Sequence, residues 1–243
     1  MRFDRPLLGD PIRFLVEHPV DEFYTKVGRA YDVIDALARK FLEDKTGPTL
    51  REAVQGGDEH KVYTALPAYY EETMHFHRDP WVQAFTAHVI RDILPEHQKK
   101  VVDVGCAFGV TGLTMALHNV DVTFFDYPGL GLDFLRWVKE TEPKLGEKIT
   151  VMEYGDPIRR HTMVLAIDVL EHLPNQLAGI KWFKELGDLV VMSYPTRVPY
   201  RPPYEKEGID RWVDDEIIQL AVAYRWQLME STNQYGWRSM IYG

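Results

Sequence analysis

Apolar side chains recur at helical spacing through the first hundred residues. Phe23, Val27, Ala30, Tyr31, Ile34, Leu37, Ala38 and Phe41 form one stripe, and Asp21 stands where it can cap that segment. Gly47-Pro48 ends it. Gln55-Gly56-Gly57-Asp58 reads as a turn, and Asp58–Leu66 as a shorter helix. A further helix opens with Asp79 as cap and Pro80 as first residue, sets Trp81, Phe85, Val89 and Ile93 on one face, and stops at Pro95.

At Lys100 the period changes. Val101–Gly105 is a short apolar run ending in glycine, the mark of a buried strand, and Gly109–Asn119 reads as the helix after it. Strand and helix then alternate. Val120–Asp126, Ile149–Asp156, Met163–Leu170 and Asp188–Pro195 read as strands, with helices at Leu132–Glu140 and Leu177–Leu186. Such alternation predicts an α/β fold with parallel units and right-handed crossovers. The apolar runs at 101–104, 163–167 and 189–192 suit strands covered on both faces. Toward the end, Val213–Arg225 reads as a helix. Trp226–Thr232 and Trp237–Gly243 read as an antiparallel hairpin at one sheet edge, turned by Asn233–Gly236. The expected division is a helical cap over residues 1–98 and a sheet-based core over 99–243. The aromatic-proline stretch Pro199–Tyr204 follows the fifth strand and would form a substrate wall or a stiff surface loop.

Composition narrows the possible partners. The chain has 243 residues, 45% hydrophobic and 27% charged, an ordinary globular balance. Lys and Arg number 28 against 37 Asp and Glu, a formal net charge of -9. A broad electrostatic hold on nucleic acid needs a basic face, so no nucleic-acid partner is expected. The single cysteine, Cys106, makes no internal disulfide and offers no cysteine cluster for zinc. The start MRFDRPLLGD lacks the apolar run of a signal peptide, and no apolar stretch reaches about 18 residues. The expectation is a cytoplasmic protein without a membrane partner.

The sharpest chemistry lies in Val101–Gly112. A strand ends at Gly105, a loop holds Gly109, and a helix begins near Val110. Glycines there let backbone amides approach a ligand closely, and the helix N-terminus adds partial positive charge. A dinucleotide pyrophosphate suits such a turn, and so does an amino-acid carboxylate. Three residues separate Gly105 from Gly109, a longer loop than the dinucleotide pattern G-x-G-x-x-G. Asp103 lies just before the loop, where it would repel a pyrophosphate but could hold the loop or favour a cationic ligand. Asp126 ends the second strand, where an acid accepts hydrogen bonds from ribose hydroxyls.

Four segments together resemble the class I S-adenosylmethionine-dependent methyltransferases. Asp103–Gly112 is similar to that family's loop D/E-x-G-x-x-x-G, and Val122–Asp126 to its second-strand acid. Glu153–Asp156 resembles its acid after the third strand, and Ile167–Pro174 its fourth-strand segment in small-molecule members. The resemblance spans residues 100–243 and implies a Rossmann-like, doubly wound sheet. It also implies S-adenosylmethionine as cofactor, with a helical segment before the core covering the substrate. The implied roles follow residue by residue. Backbone at Gly105, Cys106 and Ala107, with Gly109 closing the loop, would face the methionine end, and Asp103 would sit near its ammonium or brace the loop. Asp126 would bind the ribose, with Tyr127 beside the adenine. Asp156 would accept from the adenine amino group, with Pro157 nearby and Glu153 as substitute. Asp168 and Val169 would line the pocket under the sulfonium. The helix usual between the third and fourth strands is shortened or missing, because only Pro157–Thr162 lies between them.

Methyl transfer needs a base only where the acceptor carries a proton. His172 follows the fourth strand and is the candidate, since imidazole titrates near neutrality; the alternative is a histidine that caps the turn before Pro174. Tyr70, His75 and His77 are candidates to face an acceptor from the helical cap, with Tyr69, Phe76 and Trp81 framing an aromatic or cationic molecule. The competing role is core packing beneath a helix. His75 and His77 with Glu71 and Glu72 fit no strong metal motif, so no metal is expected. Cys106 reads as a packing residue, and the N-P-P-Y segment of base-amino methyltransferases is absent. The expected activity is methyl transfer from S-adenosylmethionine to an oxygen or nitrogen of a small molecule. The alternatives are a nicotinamide-dependent (NAD) oxidoreductase on the same scaffold and a non-catalytic binding protein that keeps the fold.

Overall fold

The computed structural model describes residues 21–45, 67–78, 80–94, 99–173, 175–195, 228–234 and 237–242. The expected features at Gly47-Pro48, Gln55–Leu66, Asp79, Pro95, Pro199–Tyr204 and Val213–Arg225 lie outside these residues.

Helix α1 spans Glu22–Leu42, and the Asp21 carboxylate caps it by accepting from the Tyr24 amide at 2.8 Å. Its stripe is buried at Val27, Ala30, Tyr31, Ile34 and Ala38, as the spacing predicts. Helix α2 spans Pro67–His77, a segment the sequence reading left outside its helices. Helix α3, Pro80–His88, runs on into a wide π turn over Val89–Ile93, where the Leu94 amide reaches back to the Val89 carbonyl. Phe85, Val89 and Ile93 are buried along this stretch.

Seven strands make one sheet: β1 Lys100–Val104, β2 Asp121–Asp126, β3 Ile149–Glu153, β4 His161–Ile167, β5 Gly187–Pro195, β6 Leu228–Gln234 and β7 Trp237–Tyr242. Their order is β3-β2-β1-β4-β5-β7-β6. The first five run parallel, while β7 pairs antiparallel with both β5 and β6. Helices α4 (Val110–Leu117), α5 (Leu130–Thr141) and α6 (Gln176–Leu186) follow β1, β2 and β4. Asn175 caps α6 through the Ala178 amide at 2.9 Å. Between β3 and β4 the chain forms a turn and coil over residues 154–160, with no helix, as the short spacing implies.

Side-chain alternation along the buried strands divides the interior. Val101, Met163 and Leu165 face one side with Phe124, Leu113 and Phe134, and helices α1 to α3 belong to that same cluster through Tyr31, Ile34, Tyr70 and Phe85. Val102, Val104, Val164 and Ala166 face the other side, covered by Ile180 and Phe183 of α6. The N-terminal helices therefore share a core with the sheet. Among the described residues, no helix is long and apolar enough to cross a membrane.

Candidate functional site

The carboxyl ends of β1, β2 and β4 converge on the glycine loop. Gly105 (φ 62°), Ala107 (φ 48°) and Gly109 (φ 65°) are all left-handed, so the chain turns sharply between β1 and α4. The Gly105 amide donates to the Phe125 carbonyl at 2.8 Å, and the Gly109 amide closes the loop on the Cys106 carbonyl at 2.6 Å. A Cβ on Gly105 would stand 2.7 Å from a Val169 methyl, and one on Gly109 would stand 2.7 Å from the Phe124 ring. Glycine is thus required at both places by conformation and by space.

Asp126 ties this loop to the end of β2. Its Oδ2 accepts from the Ala107 amide and its Oδ1 from the Tyr127 amide, each at 2.7 Å. A carboxylate has about four acceptor positions, and the two amides use one on each oxygen. Asp103 lies below the loop, 4% exposed. It accepts from the Gly112 amide, which links β1 to the first turn of α4. Burial pushes its carboxyl up to about 7, opposed by the Gly112 amide and reinforced by the charge of Asp126. Of the two places implied for Asp103, this geometry supports the brace. Cys106 is buried, and burial followed by the charges of Asp126 and Asp103 pushes its thiol up, which suits packing and not nucleophilic chemistry.

Beyond β4, Asp168 is again left-handed (φ 55°), an uncommon conformation for a non-glycine residue. Val169 packs over Gly105 and so joins the β4 loop to the β1 loop. A one-turn 3₁₀ helix, Leu170–His172, follows, and its histidine is exposed with its amide on the Val169 carbonyl. Asp156 and Pro157 stand on the exposed turn after β3, where the Asp156 Oδ2 accepts from the Glu153 amide at 2.9 Å. The Glu153 side chain pairs with Arg136 of α5.

Two residues expected to face an acceptor lie beneath the loop instead. Tyr70 is buried, donates its hydroxyl to Asp35 at 2.7 Å, and sets its ring edgewise 5.1 Å from Phe108 of the loop. His77 is buried with Nδ1 2.8 Å from the Thr73 carbonyl and Nε2 3.0 Å from the Thr111 hydroxyl. Nδ1 must donate to the carbonyl, which leaves Nε2 to accept from Thr111. Burial holds this imidazole down at about 4, against the opposing pull of the Thr73 carbonyl. For Tyr70 and His77 the aromatic and histidine cluster thus takes its competing role, core packing. His75 falls on the same helix, and its side chain lies outside the described residues. The sequence reading missed Thr111, Phe108 and Tyr154. The last stacks on Tyr127 just beyond the paired ends of β2 and β3, a relation visible only once those strands are side by side.

No family model matches the chain, and no curated protein matches it in sequence. Solved structures do match. Magnesium protoporphyrin IX methyltransferase of Synechocystis PCC 6803, solved with S-adenosylmethionine bound, superposes at a TM-score of 0.52 with 16% identity, covering 85% of this chain and 88% of that one. The CcbJ methyltransferase of Streptomyces caelestis gives 0.51 with 15% identity, covering 65% and 87%. An O-methyltransferase family protein of Burkholderia thailandensis gives 0.48 with 12% identity, and this chain spans 62% of its length. The chain therefore has the fold of the class I S-adenosylmethionine-dependent methyltransferases.

Proposed function

We propose that the protein is a methyltransferase that uses S-adenosylmethionine to methylate an oxygen or nitrogen of a small molecule. The observation that carries this reading is the bond from the Ala107 amide to the Asp126 carboxylate. It joins the glycine loop and the β2 acid into one preformed unit at the carboxyl ends of adjacent strands, where ligands bind in open α/β sheets. The residues present fit the cofactor. Gly105 and Gly109 let the loop pack directly on Val169 and Phe124, where a Cβ would collide, and so hold the backbone of Gly105–Ala107 in a fixed turn beside Asp126. Asp126 supplies the hydroxyl acceptor, and the three residues between Gly105 and Gly109 make the loop longer than the dinucleotide pattern.

When bound, S-adenosylmethionine supplies a methyl group already activated on a sulfonium. The chain's own residues then have three tasks. The preformed loop backbone and Asp126 fix the ligand's position. Asp168 and Val169 wall the pocket and exclude water. His172, exposed after β4, takes the proton that a hydroxyl or amine acceptor loses, a role worth about 10²–10⁴-fold where it operates. The acidic net charge favours a small acceptor over nucleic acid.

Isothermal titration with S-adenosylmethionine, S-adenosylhomocysteine and NAD tests the reading. Binding of both sulfur compounds without NAD is the expected result. NAD binding alone would favour the oxidoreductase, and silence to all three a non-catalytic role. Asp126→Ala is expected to weaken S-adenosylhomocysteine binding about tenfold or more, the scale for losing hydrogen bonds to a charged group.

A further inference from the structure

Tyr127 and Tyr154 leave the ends of β2 and β3 side by side. Asp126 pairs with Glu153 in the parallel register, and the Tyr154 amide donates to the Asp126 carbonyl at 2.8 Å. The next residue of each strand therefore projects to the same side. The two rings stack with centroids 4.6 Å apart and planes at 24°. Both are open to solvent, Tyr127 at 48% and Tyr154 at 64%. Among the described residues, large apolar side chains this exposed are few, and two of them form this pair.

The stack is the outer end of a longer ladder. Trp182 of α6 lies 5.6 Å from Phe125, Phe125 lies 6.3 Å from Tyr154, and Tyr154 carries Tyr127. The order gives the two tyrosines different places. Tyr154 stands between the buried Phe125 and Tyr127, while Tyr127 ends the series next to Asp126. The backbone of Tyr127 is held there by its amide on Asp126 Oδ1. Burial, then the neighbouring Tyr154, pushes the Tyr127 phenol above its ordinary value. Tyr154 opens the turn and coil of residues 154–160 that joins β3 to β4.

We infer that Tyr154 is a positioning residue for the nucleobase end of the ligand: it acts through Tyr127, holding that ring as a fixed platform on which a purine stacks. The inference rests on the methyltransferase reading, since the ligand whose ribose meets Asp126 brings its base within reach of the next residue. Stacking preferences of aromatic pairs set the scale. A Tyr127 ring without its backing must be ordered by the ligand itself, which costs affinity.

Titration of the full chain and its variants with S-adenosylhomocysteine tests this. Tyr154→Ala is expected to weaken binding about three- to tenfold, while Tyr154→Phe, which keeps the stacked ring, stays within about twofold of the parent. Tyr127→Ala should weaken binding at least as much as Tyr154→Ala. The double variant should bind no worse than Tyr127→Ala alone, because Tyr154 has no separate contact to lose. Unchanged or tighter binding by Tyr154→Ala overturns the inference, and so does a double variant whose loss is the product of the single losses. Both rings are exposed, so a large fall in the ligand-free thermal midpoint of Tyr154→Ala also counts against it. If the parent protein binds no S-adenosyl compound, the methyltransferase reading falls as well. If the parent binds, Asp126→Ala weakens it and Tyr154→Ala does not, only the platform falls.

Discussion

Gly105 and Gly155 are both left-handed glycines, but their surroundings differ. A Cβ on Gly105 meets Val169 at 2.7 Å, whereas one on Gly155 meets nothing within 4 Å. Gly105→Ala therefore adds overpacking to backbone strain and is expected to cost about 2 kcal/mol or more, with loss of S-adenosylhomocysteine binding. Gly155→Ala carries the strain alone, about 1 kcal/mol. Thermal midpoints and titrations of the two variants check the contrast. Asp103 makes a second prediction. Its carboxyl is raised to about 7 from an ordinary 3.8, so the fold favours the protonated form. That contribution is full below about pH 4 and is lost as pH rises through about 7. Asp103→Asn keeps an acceptor for the Gly112 amide and removes the titration. Its thermal midpoint should gain on the parent's between pH 4 and 7, then hold a constant lead. Parallel curves would show that Asp103 ionises freely in place.

At the scale of elements, α2 is joined to α4 by the buried bond between His77 and Thr111. The histidine is held at about 4, below its ordinary 6.5, so the fold favours its neutral form. Its contribution is full above about pH 6.5 and is lost as pH falls toward 4, up to about 3 kcal/mol. This runs opposite to Asp103 over the same window, so each group must be read against its own variant. Chemical denaturation of His77→Gln from pH 7 to 4 should show a shallower acid loss than the parent, and equal slopes would overturn the assignment. The same bond marks where sequence stops being informative. The Asp21 cap was legible because its partner, Tyr24, lies three residues away. The loop and Asp126 were legible because glycine spacing and a strand-ending acid have local signatures. His77 and Thr111 stand 34 positions apart, and neither residue type announces the other. Ala107 and Asp168 take left-handed backbones that their identities do not signal. Tyr70 and His77 looked like acceptor contacts because an aromatic and histidine cluster reads alike whether it lines a pocket or fills a core.

For the whole molecule, one interior cluster links α1 to α3 with β1, β2, α4 and α5. Val27 and Ile34 of α1 are fully buried against it, so the sheet side of this contact is apolar. A fragment limited to residues 99–243 would expose that surface to water. It is expected to lack a cooperative thermal transition and to aggregate at micromolar concentration. A sharp calorimetric transition in the fragment would mean that the helical segment is a separable cover. The strand order has its own consequence. β5 is flanked by β4, made shortly before it, and by β7, made long after it. During synthesis on the ribosome, the parallel half of the sheet can close while β5 still presents a row of unmet amides and carbonyls. Until Trp237–Tyr242 emerges and docks, the nascent chain carries a sticky flank, and chaperone dependence should fall mainly in that interval.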